Sequence, residues 1–529
     1  MLFSIPIAIP IPTPIRLDKF CVFAEPVFPT WITPAKRGGK TDLMTALKPK
    51  NILYLMCDSL RWNALGCYGN PIVRTPNIDA LAREGLVFER AYCAQPLCVP
   101  ARGAMFSGVY PHTSGTSTNF QPLLACYTPL PRLLNGAGLY TAAIGKMHTI
   151  PARAEWPGFQ YRMLTEEGRL IHEDDYRKYL NAHGYEHIDI YSLMPMAKDY
   201  RDLMDRKFGC GISPVPEEHY NTTWIADETI RFLRNHGPRG PFFAWVGFVR
   251  PHNPFTPPQE FADLYDPKAM PPPLLPREGT PLPEAYRRRV NQARASGYYE
   301  NGCALSRAYY YALVTLVDKA VGRIVGTLKE EGLDKDTLIV FSSDHGDCHG
   351  DYGCLFKGAF AHDALTRIPL IVNGPGHVPR GREEESLVSQ LDLLPTFCDL
   401  SGARIPEYAQ GRSLAPFLAG ESPADWRTEY GMDIGPGRDP AKAYIWRDFK
   451  YTFRARPEDE ELYNMADDRD ELDNLAQDPA HRDTIRAMRD KTLQWMTETT
   501  PTLPRAEGGE GDVYWFPPKG ARYPGESFL

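Results

Sequence analysis

Between residues 48 and 400 the chain repeatedly runs apolar for a strand's length, stops, and then takes up helical spacing. "NILYLMCD" (Asn51 to Asp58), "PFFAWVGFVRPHNPF" (Pro241 to Phe255) and "DTLIVFSSDHG" (Asp336 to Gly346) contain continuous apolar runs without alternation. Such runs suit strands buried on both faces, the habit of parallel sheets. "GLYTAAIGKMH" (Gly138 to His148) reads as a strand leading into a loop, and "LVSQLDLLPTFCDLSGA" adds a strand, a turn and a helix. "TPNIDALAREGL" is a punctuated short helix with Thr75 as N-cap, Pro76 at its first position and Gly85 just past its end. From Ala304 to Glu331 the positions Leu313, Val317, Val321, Ile324, Val325 and Leu328 keep helical spacing, and Gly332 supplies the stop. Strands alternating with helices predict an α/β fold, a mostly parallel sheet sandwiched by helices. Ligands of such sheets gather at the carboxyl ends of the strands, where Asp58, Asp344 and His345 stand.

Three segments follow. Residues 1–47 form a leader without clear periodicity, 48–420 carry the main α/β unit, and 421–529 form a smaller C-terminal α+β subdomain. The last is predicted to hold short antiparallel strands in "AYIWRDFKYTFRAR" and "EELYNMADD", a helix in "HRDTIRAMRDKTLQWMTE" and a tail. The Tyr- and His-rich segment from about 150 to 220 reads as an insertion over the active face, where substrate choice would reside.

A net charge of −7 with a pI near 6.0 provides no global field for gathering nucleic acid or anionic lipid. No stretch reaches the ~20 apolar residues of a membrane span. The opening "MLFSIPIAIPIPTPIR" has no basic residue before its apolar run and is broken by four prolines, which argues against a signal peptide. A cytoplasmic location is expected. The eleven cysteines, scattered singly over 529 residues, are expected to be mostly reduced.

Asp58, Asp344 and His345 at neighbouring strand ends would suit a divalent metal that takes oxygen ligands and tolerates one nitrogen, or they could be turn acids capping local backbone. A zinc reading of His345, Cys348, His349 and Cys354 in "DHGDCHGDYGC" matches no standard spacing. Cys98 in "PLCVPARGAMFSG" lies just before a helix that Pro100 is expected to begin, where the helix dipole favours a thiolate. Taken singly, Cys98 is a buried thiol, His148 and His252 are packing residues in loops, and Lys146 and Lys357 are solvated charges.

Taken together they carry a resemblance. "CVPARGAMFSG" resembles the C-x-P-x-R maturation signature of the sulfatases, and "NILYLMCDSLRWNALGCYG", "TPNIDALAREG", "AIGKMH", "RPHNPF", "SSDHGDCHGDYG", "FKGAF" and "ELYNMADDRDELDNLA" follow in the family's order. The resemblance spans roughly residues 48–480. It implies an alkaline-phosphatase-like fold and oxidation of Cys98 to formylglycine by a formylglycine-generating enzyme. The modified Cys98, Asp58, Asp344 and His345 would then hold a divalent metal, calcium first and manganese second. It further implies that Arg102 holds the hydrated aldehyde and that Lys146 and Lys357 neutralise the sulfate oxygens. His252, with Lys357, would protonate the departing alcohol, and His148 would take the proton of the second hydroxyl as sulfate leaves. The expected partner is a small-molecule or saccharide sulfate ester, and the C-terminal "GGEGDVYWFPPKGARYPGESFL" (Gly508 to Leu529) could drape over a second copy of the chain in a homo-oligomer or over its own core.

One departure is Ser59, where sulfatases usually have a second aspartate and relatives acting on phosphonate monoesters often have glutamine. A hydroxyl is a poorer ligand than a carboxylate. Lys146-Met147-His148 is the sulfatase pattern where phosphonate-type relatives tend to carry Tyr-x-Thr, whereas Ala101 is shared with that branch. A phosphonate monoester hydrolase or phosphodiesterase is therefore the second expectation, and a catalytically silent binder, suggested by Ser59, the third.

Overall fold

The computed structural model describes residues 49–500, except 125, 150–156, 167–173, 196–207, 278, 376–377 and 436–439. The leader 1–47, the tail beyond 500 and those parts of the 150–220 insertion lie outside the described residues.

The apolar runs form the strands expected of them. The main sheet has eight strands: β1 (Asn51–Asp58), β2 (Leu86–Phe88), β4 (Tyr140–Gly145), β5 (Tyr161–Leu164), β6 (Phe242–Pro251), β7 (Thr337–Ser343), β9 (Leu370–Asn373) and β10 (Arg382–Glu384). Their order is β10-β2-β9-β7-β1-β6-β4-β5. Every pairing is parallel except the two made by β9, which runs against β7 and β2. Beside it, β3 (Ala91–Tyr92), β8 (Arg367–Ile368) and β11 (Val388–Ser389) make a three-stranded sheet.

The principal helices are α1 (Pro76–Arg83), α2 (Cys98–Ser107), α3 (Asp175–Ala182), α4 (Asn221–His236), α5 (Cys303–Glu330), α6 (Leu393–Ser401) and α7 (Arg482–Thr499). Because strand side chains alternate, β1 feeds two cores at once. Leu53 and Leu55 face Val246, Phe341, and the α5 residues Leu313 and Val317. Ile52, Tyr54 and Met56 face Trp245, Phe106 of α2 and Phe397 of α6. Trp245 stacks on Phe106 with ring centroids 4.5 Å apart. Helices therefore cover both faces of the sheet, as the alternation requires.

Two local expectations are modified. The helix carrying Cys98 begins at Cys98 itself and not at Pro100, with Leu97 extended before it (φ −151°) and the Ala101 N–H closing on the Leu97 carbonyl at 2.9 Å. Pro100 fits within the first turn because the N–H it lacks has no intrahelical partner there. Thr75 does precede α1, but its hydroxyl donates to Asp79 at 3.0 Å, and Asp318 of α5 instead accepts the Asn77 and Ile78 N–H groups at 3.0 and 2.8 Å.

Beyond residue 428, β12 (Glu429–Gly435), β13 (Ala441–Trp446), β14 (Phe449–Arg454) and β15 (Glu461–Asn464) form an antiparallel sheet. Trp495 of α7 packs with Tyr444 of β13, and Met488 of α7 with Tyr451 of β14. Lys450 of β14 is buried and pairs with Asp363 and, at 2.7 Å, with Glu471. Among the described residues no helix is long and apolar enough to cross a membrane.

Candidate active site

The order β7-β1-β6-β4 sets four parallel strands side by side, so their carboxyl ends share one edge. Asp58 ends β1, Lys146 to His148 follow β4, His252 follows β6, and Asp344 and His345 follow β7. The register shifts between Cys57 and Asp58, and Ser59 takes φ +65°, so the chain turns sharply as it leaves the sheet.

Helix α2 brings Cys98 and Arg102 to this edge, one turn apart on one helix face. The Asp58 and Asp344 carboxylates, Cys98 Sγ and a His345 nitrogen all lie within 4.8 Å of one another, all buried. Cys98 Sγ is 3.3 Å from His345 Nε2 and 3.8 Å from Asp58. The opposite ring nitrogen of His345 is fixed on the Gly346 carbonyl at 2.8 Å. Two carboxylates and an oriented imidazole form the oxygen-rich, single-nitrogen donor set that a divalent cation takes. The donor set therefore fits the expected metal. Cys348, His349 and Cys354 are not in this group, which leaves no support for the zinc reading.

Three cations press on the two carboxylates. Arg102, fully buried, donates to Asp58 at 2.9 Å and to Asp344 at 3.1 Å. Lys146 Nζ lies 2.8 Å from Asp58, and Lys357 Nζ reaches Cys98 Sγ at 2.8 Å and His252 Nε2 at 3.0 Å. Lys146 and Lys357 are thus working charges of the interior and not solvated surface ones. Burial alone would raise the Asp58 carboxyl, but the cationic Lys146, Lys357 and Arg102 hold it well below the usual carboxylate range. Burial and Asp58 push the Cys98 thiol up, yet Lys357 and His345 outweigh them and leave it below its ordinary value. Burial opposes the charge of Lys357, and Cys98, Asp58 and Asp344 more than restore it. Burial and the adjacent Lys357 push His252 well below its ordinary value. The ammonium therefore holds the proton of this pair and the imidazole is neutral.

Ser59 adds no carboxylate. Its hydroxyl donates to Asp58 and its N–H to Asp344, each at 3.0 Å, so it helps to orient the two carboxylates.

Cys98, His148, His252 and Lys357 open onto a cavity of about 460 Å³, with Asn119, Tyr191, Asn253 and Phe356 completing its wall. Arg102 and Lys146 stand behind the carboxylates and do not line it. Composition and spacing gave no warning of those four wall residues. Asn119 does carry a structural duty as well, accepting the Val99 N–H at 3.0 Å beside the first turn of α2. Glu166 was also missed. It accepts the backbone N–H groups of Met147 and His148, and the available signal was an acid two residues beyond the carboxyl end of β5.

Comparison with known proteins agrees with this geometry. The family description "Sulfatase" matches residues 50–403, and "N-sulphoglucosamine sulphohydrolase, C-terminal" matches residues 350–498. An arylsulfatase of Clostridium perfringens is 28% identical over 466 residues, covering 84% of this chain and 93% of its own. A multifunctional alkaline phosphatase superfamily protein of Trinickia caryophylli is 28% identical over 502 residues, covering 84% and 95%. Among solved structures, the phosphonate monoester hydrolase of Agrobacterium radiobacter superposes with a TM-score of 0.68 at 25% identity, over 85% of this chain and 96% of that one. With the family match spanning well over half the chain, and the C-x-P-x-R cysteine, the strand-end acids and the lysines meeting at one sheet edge, this chain belongs to the sulfatase family of hydrolases.

Proposed function

We propose that this chain hydrolyses a sulfate monoester of a small organic alcohol or sugar, using Cys98 matured to formylglycine. The observation that carries the reading is the meeting of Cys98 Sγ, the Lys357 ammonium and His252 within 3.0 Å contacts at the floor of a cavity that His148 also lines. The hydrated aldehyde would supply two hydroxyls on one carbon, one to attack sulfur and one whose ionisation expels sulfate. Asp58, Asp344, His345 and the Cys98 side chain would hold the divalent cation, calcium or else manganese, which would supply positive charge to acidify the nucleophile.

The protein's own groups divide the remaining work. Arg102, Lys146 and Lys357 outnumber Asp58 and Asp344 even before a divalent cation is counted, so the buried site carries net positive charge, which favours an anionic ester. Lys357 carries the proton that neutralises the departing alkoxide, with neutral His252 hydrogen-bonded behind it. His148, on the same wall, takes the proton of the second hydroxyl. Lys146 acts at one remove through Asp58. The wall beyond these groups offers two carboxamides and two aromatic rings, which suits an uncharged ring on the alcohol side.

A second reading, hydrolysis of phosphonate monoesters or phosphodiesters at the same nucleophile, is favoured by Ala101 and by the likeness to a phosphonate monoester hydrolase. Lys146-Met147-His148 places it second.

The test is a fragment-resolved mass spectrum of the peptide Ala91 to Arg102, "AYCAQPLCVPAR", from protein produced beside a formylglycine-generating enzyme, followed by kinetics on matched sulfate and phosphonate esters. Fragmentation is required because Cys93 shares the peptide. An aldehyde or its hydrate at Cys98 and a higher kcat/KM on sulfate are expected. An unmodified thiol, in a host that modifies a control sulfatase, overturns the mechanism. A preference for the phosphonate ester of about tenfold or more, some 1.4 kcal/mol in transition-state stabilisation, reverses the order of the two readings.

A further inference from the structure

Lys146, Met147 and His148 leave β4 in a turn where His148 has φ +50°, a conformation that non-glycine residues keep only when their surroundings impose it. Two side chains grip this turn. Arg102 Nη1 donates to the carbonyl of Lys146 at 2.9 Å. Glu166 takes the amides: its Oε1 accepts the N–H groups of Met147 at 2.8 Å and His148 at 3.0 Å, and its Oε2 accepts the His148 N–H at 2.9 Å. A carboxyl group seated on successive backbone N–H groups fills the concavity they form, and burial outweighs those donors and pushes it up to about 7.

Glu166 is itself held. It is 3% exposed, and its own N–H donates to Asp174 at 2.6 Å. Asp174 is the N-cap of α3, accepting the Arg177 N–H at 2.9 Å. A rigid line of contacts therefore runs from α3 through Asp174 and Glu166 to the backbone of His148.

We propose that Glu166 is the positioning residue of His148, seating its backbone in the left-handed turn that presents the imidazole to the reaction cavity. Glu166 does not line the cavity and touches no reacting atom. Its influence on catalysis rests on the role given to His148 above, and its effect on the turn does not. Without it, the Met147 and His148 amides lose their acceptors, and the strained turn loses the group that compensates it. A displacement of the imidazole by about 1 Å is enough to slow proton transfer by roughly a hundredfold.

The experiment compares Glu166→Ala and Glu166→Gln with the parent. Hydrogen exchange at the Met147 and His148 amides is measured on unmodified protein, so this arm needs neither formylglycine nor turnover. Exchange there should rise at least about tenfold in Glu166→Ala and stay near the parent rate in Glu166→Gln, which keeps one acceptor oxygen. Equal exchange in parent and Glu166→Ala overturns the proposal. In matured protein, kcat on an aryl sulfate should fall roughly ten- to a hundredfold in Glu166→Ala and KM should fall with it, leaving kcat/KM within about threefold because only the second step is slowed, and Glu166→Gln should recover most of the kcat. Slowed proton removal in the second step should also leave a first-turnover burst of the alcohol. A fall in kcat matched by an equal fall in the folded fraction would mean a merely structural role and overturn the proposal. If Glu166→Ala does not fold, Glu166→Asp, one methylene too short to reach both amides, carries the same expectations. Should matured parent protein hydrolyse no sulfate ester, the reading of function fails while the exchange measurement still decides the role of Glu166.

Discussion

Phe356 and Lys357 are neighbours in sequence, and both line the cavity, yet the physics assigns them opposite kinetic signatures. Lys357 Nζ touches Cys98 Sγ and His252, where charge redistributes as the ester bond breaks. Phe356, at φ +57°, turns its ring towards Phe255 at 6.0 Å and contributes apolar wall. Lys357→Ala should therefore lower kcat on the order of a thousandfold, because the interaction it removes is strongest in the transition state. Phe356→Ala should instead raise KM by roughly three- to tenfold for a ring-bearing ester and leave kcat near the parent value. Steady-state kinetics of the two variants on one aryl sulfate check both; a KM effect for Lys357→Ala alone would remove it from the reacting centre. Nothing in the local sequence separates these roles. "LFKG" predicts an exposed lysine, and only the approach of α2 and β6 from distant parts of the chain makes it a cation largely withdrawn from solvent.

At the scale of elements, α1 shows how a local signal and a tertiary one share a task. Thr75 and Pro76 announce the start of the helix in sequence, and the helix begins there. The N–H groups of its first turn are nevertheless capped by Asp318, from the middle of α5. Burial pushes the Asp318 carboxyl up to about 6, against an ordinary value of 3.8. The folded protein thus keeps a proton that the unfolded chain has already released across this window. The stability from that proton is complete below about pH 3.8 and is lost as pH rises to about 6, a change of at most about 3 kcal/mol. Asp318→Asn cannot titrate, so the stability of the parent relative to this variant should decline across the same window. Urea unfolding of both proteins at pH 4, 5, 6 and 7 measures it. The opposite slope would mean that the amide donors and the α1 dipole outweigh desolvation.

Across the whole molecule, the antiparallel sheet β12–β15 is fastened to the helical turn Asp363–Thr366 by a buried charge cluster. Lys450 of β14 lies between Asp363 and Glu471, and all three are largely withdrawn from solvent. Lys450→Ala would strand two carboxylates together in the interior and should cost about 3–5 kcal/mol. Pairing it with Glu471→Gln should return a substantial part of that loss, as read from denaturant midpoints. Additive costs in the double variant would show that the cluster does not act as a unit.

The strand and helix order, the mostly parallel sheet with its flanking helices and the small C-terminal sheet were all legible in the sequence, because a buried strand and an amphipathic helix each write a short-range period into the residues that form them. Asp58, Asp344 and His345 were legible too, since a polar residue ending an apolar run marks a strand's carboxyl end. The order β7-β1-β6-β4 was not. It arises from pairing between segments separated by up to hundreds of residues, and it alone decides that these ends meet within a few ångströms. The same distance in sequence hid the burial of Lys146 and the withdrawal of Lys357 from solvent, and the cavity wall of Asn119, Tyr191, Asn253 and Phe356; the grip of Glu166 on the His148 turn spans only 18 residues but carries no local period. The start of α2 at Cys98 also lay beyond local reading, because proline is tolerated anywhere in a helix's first turn and so marks that turn without marking its first residue. Sequence alone determined which residues could take part and on what kind of element. Tertiary packing decided which of them face one another, because mutual distance and desolvation are properties of the assembled sheet edge and of no single segment.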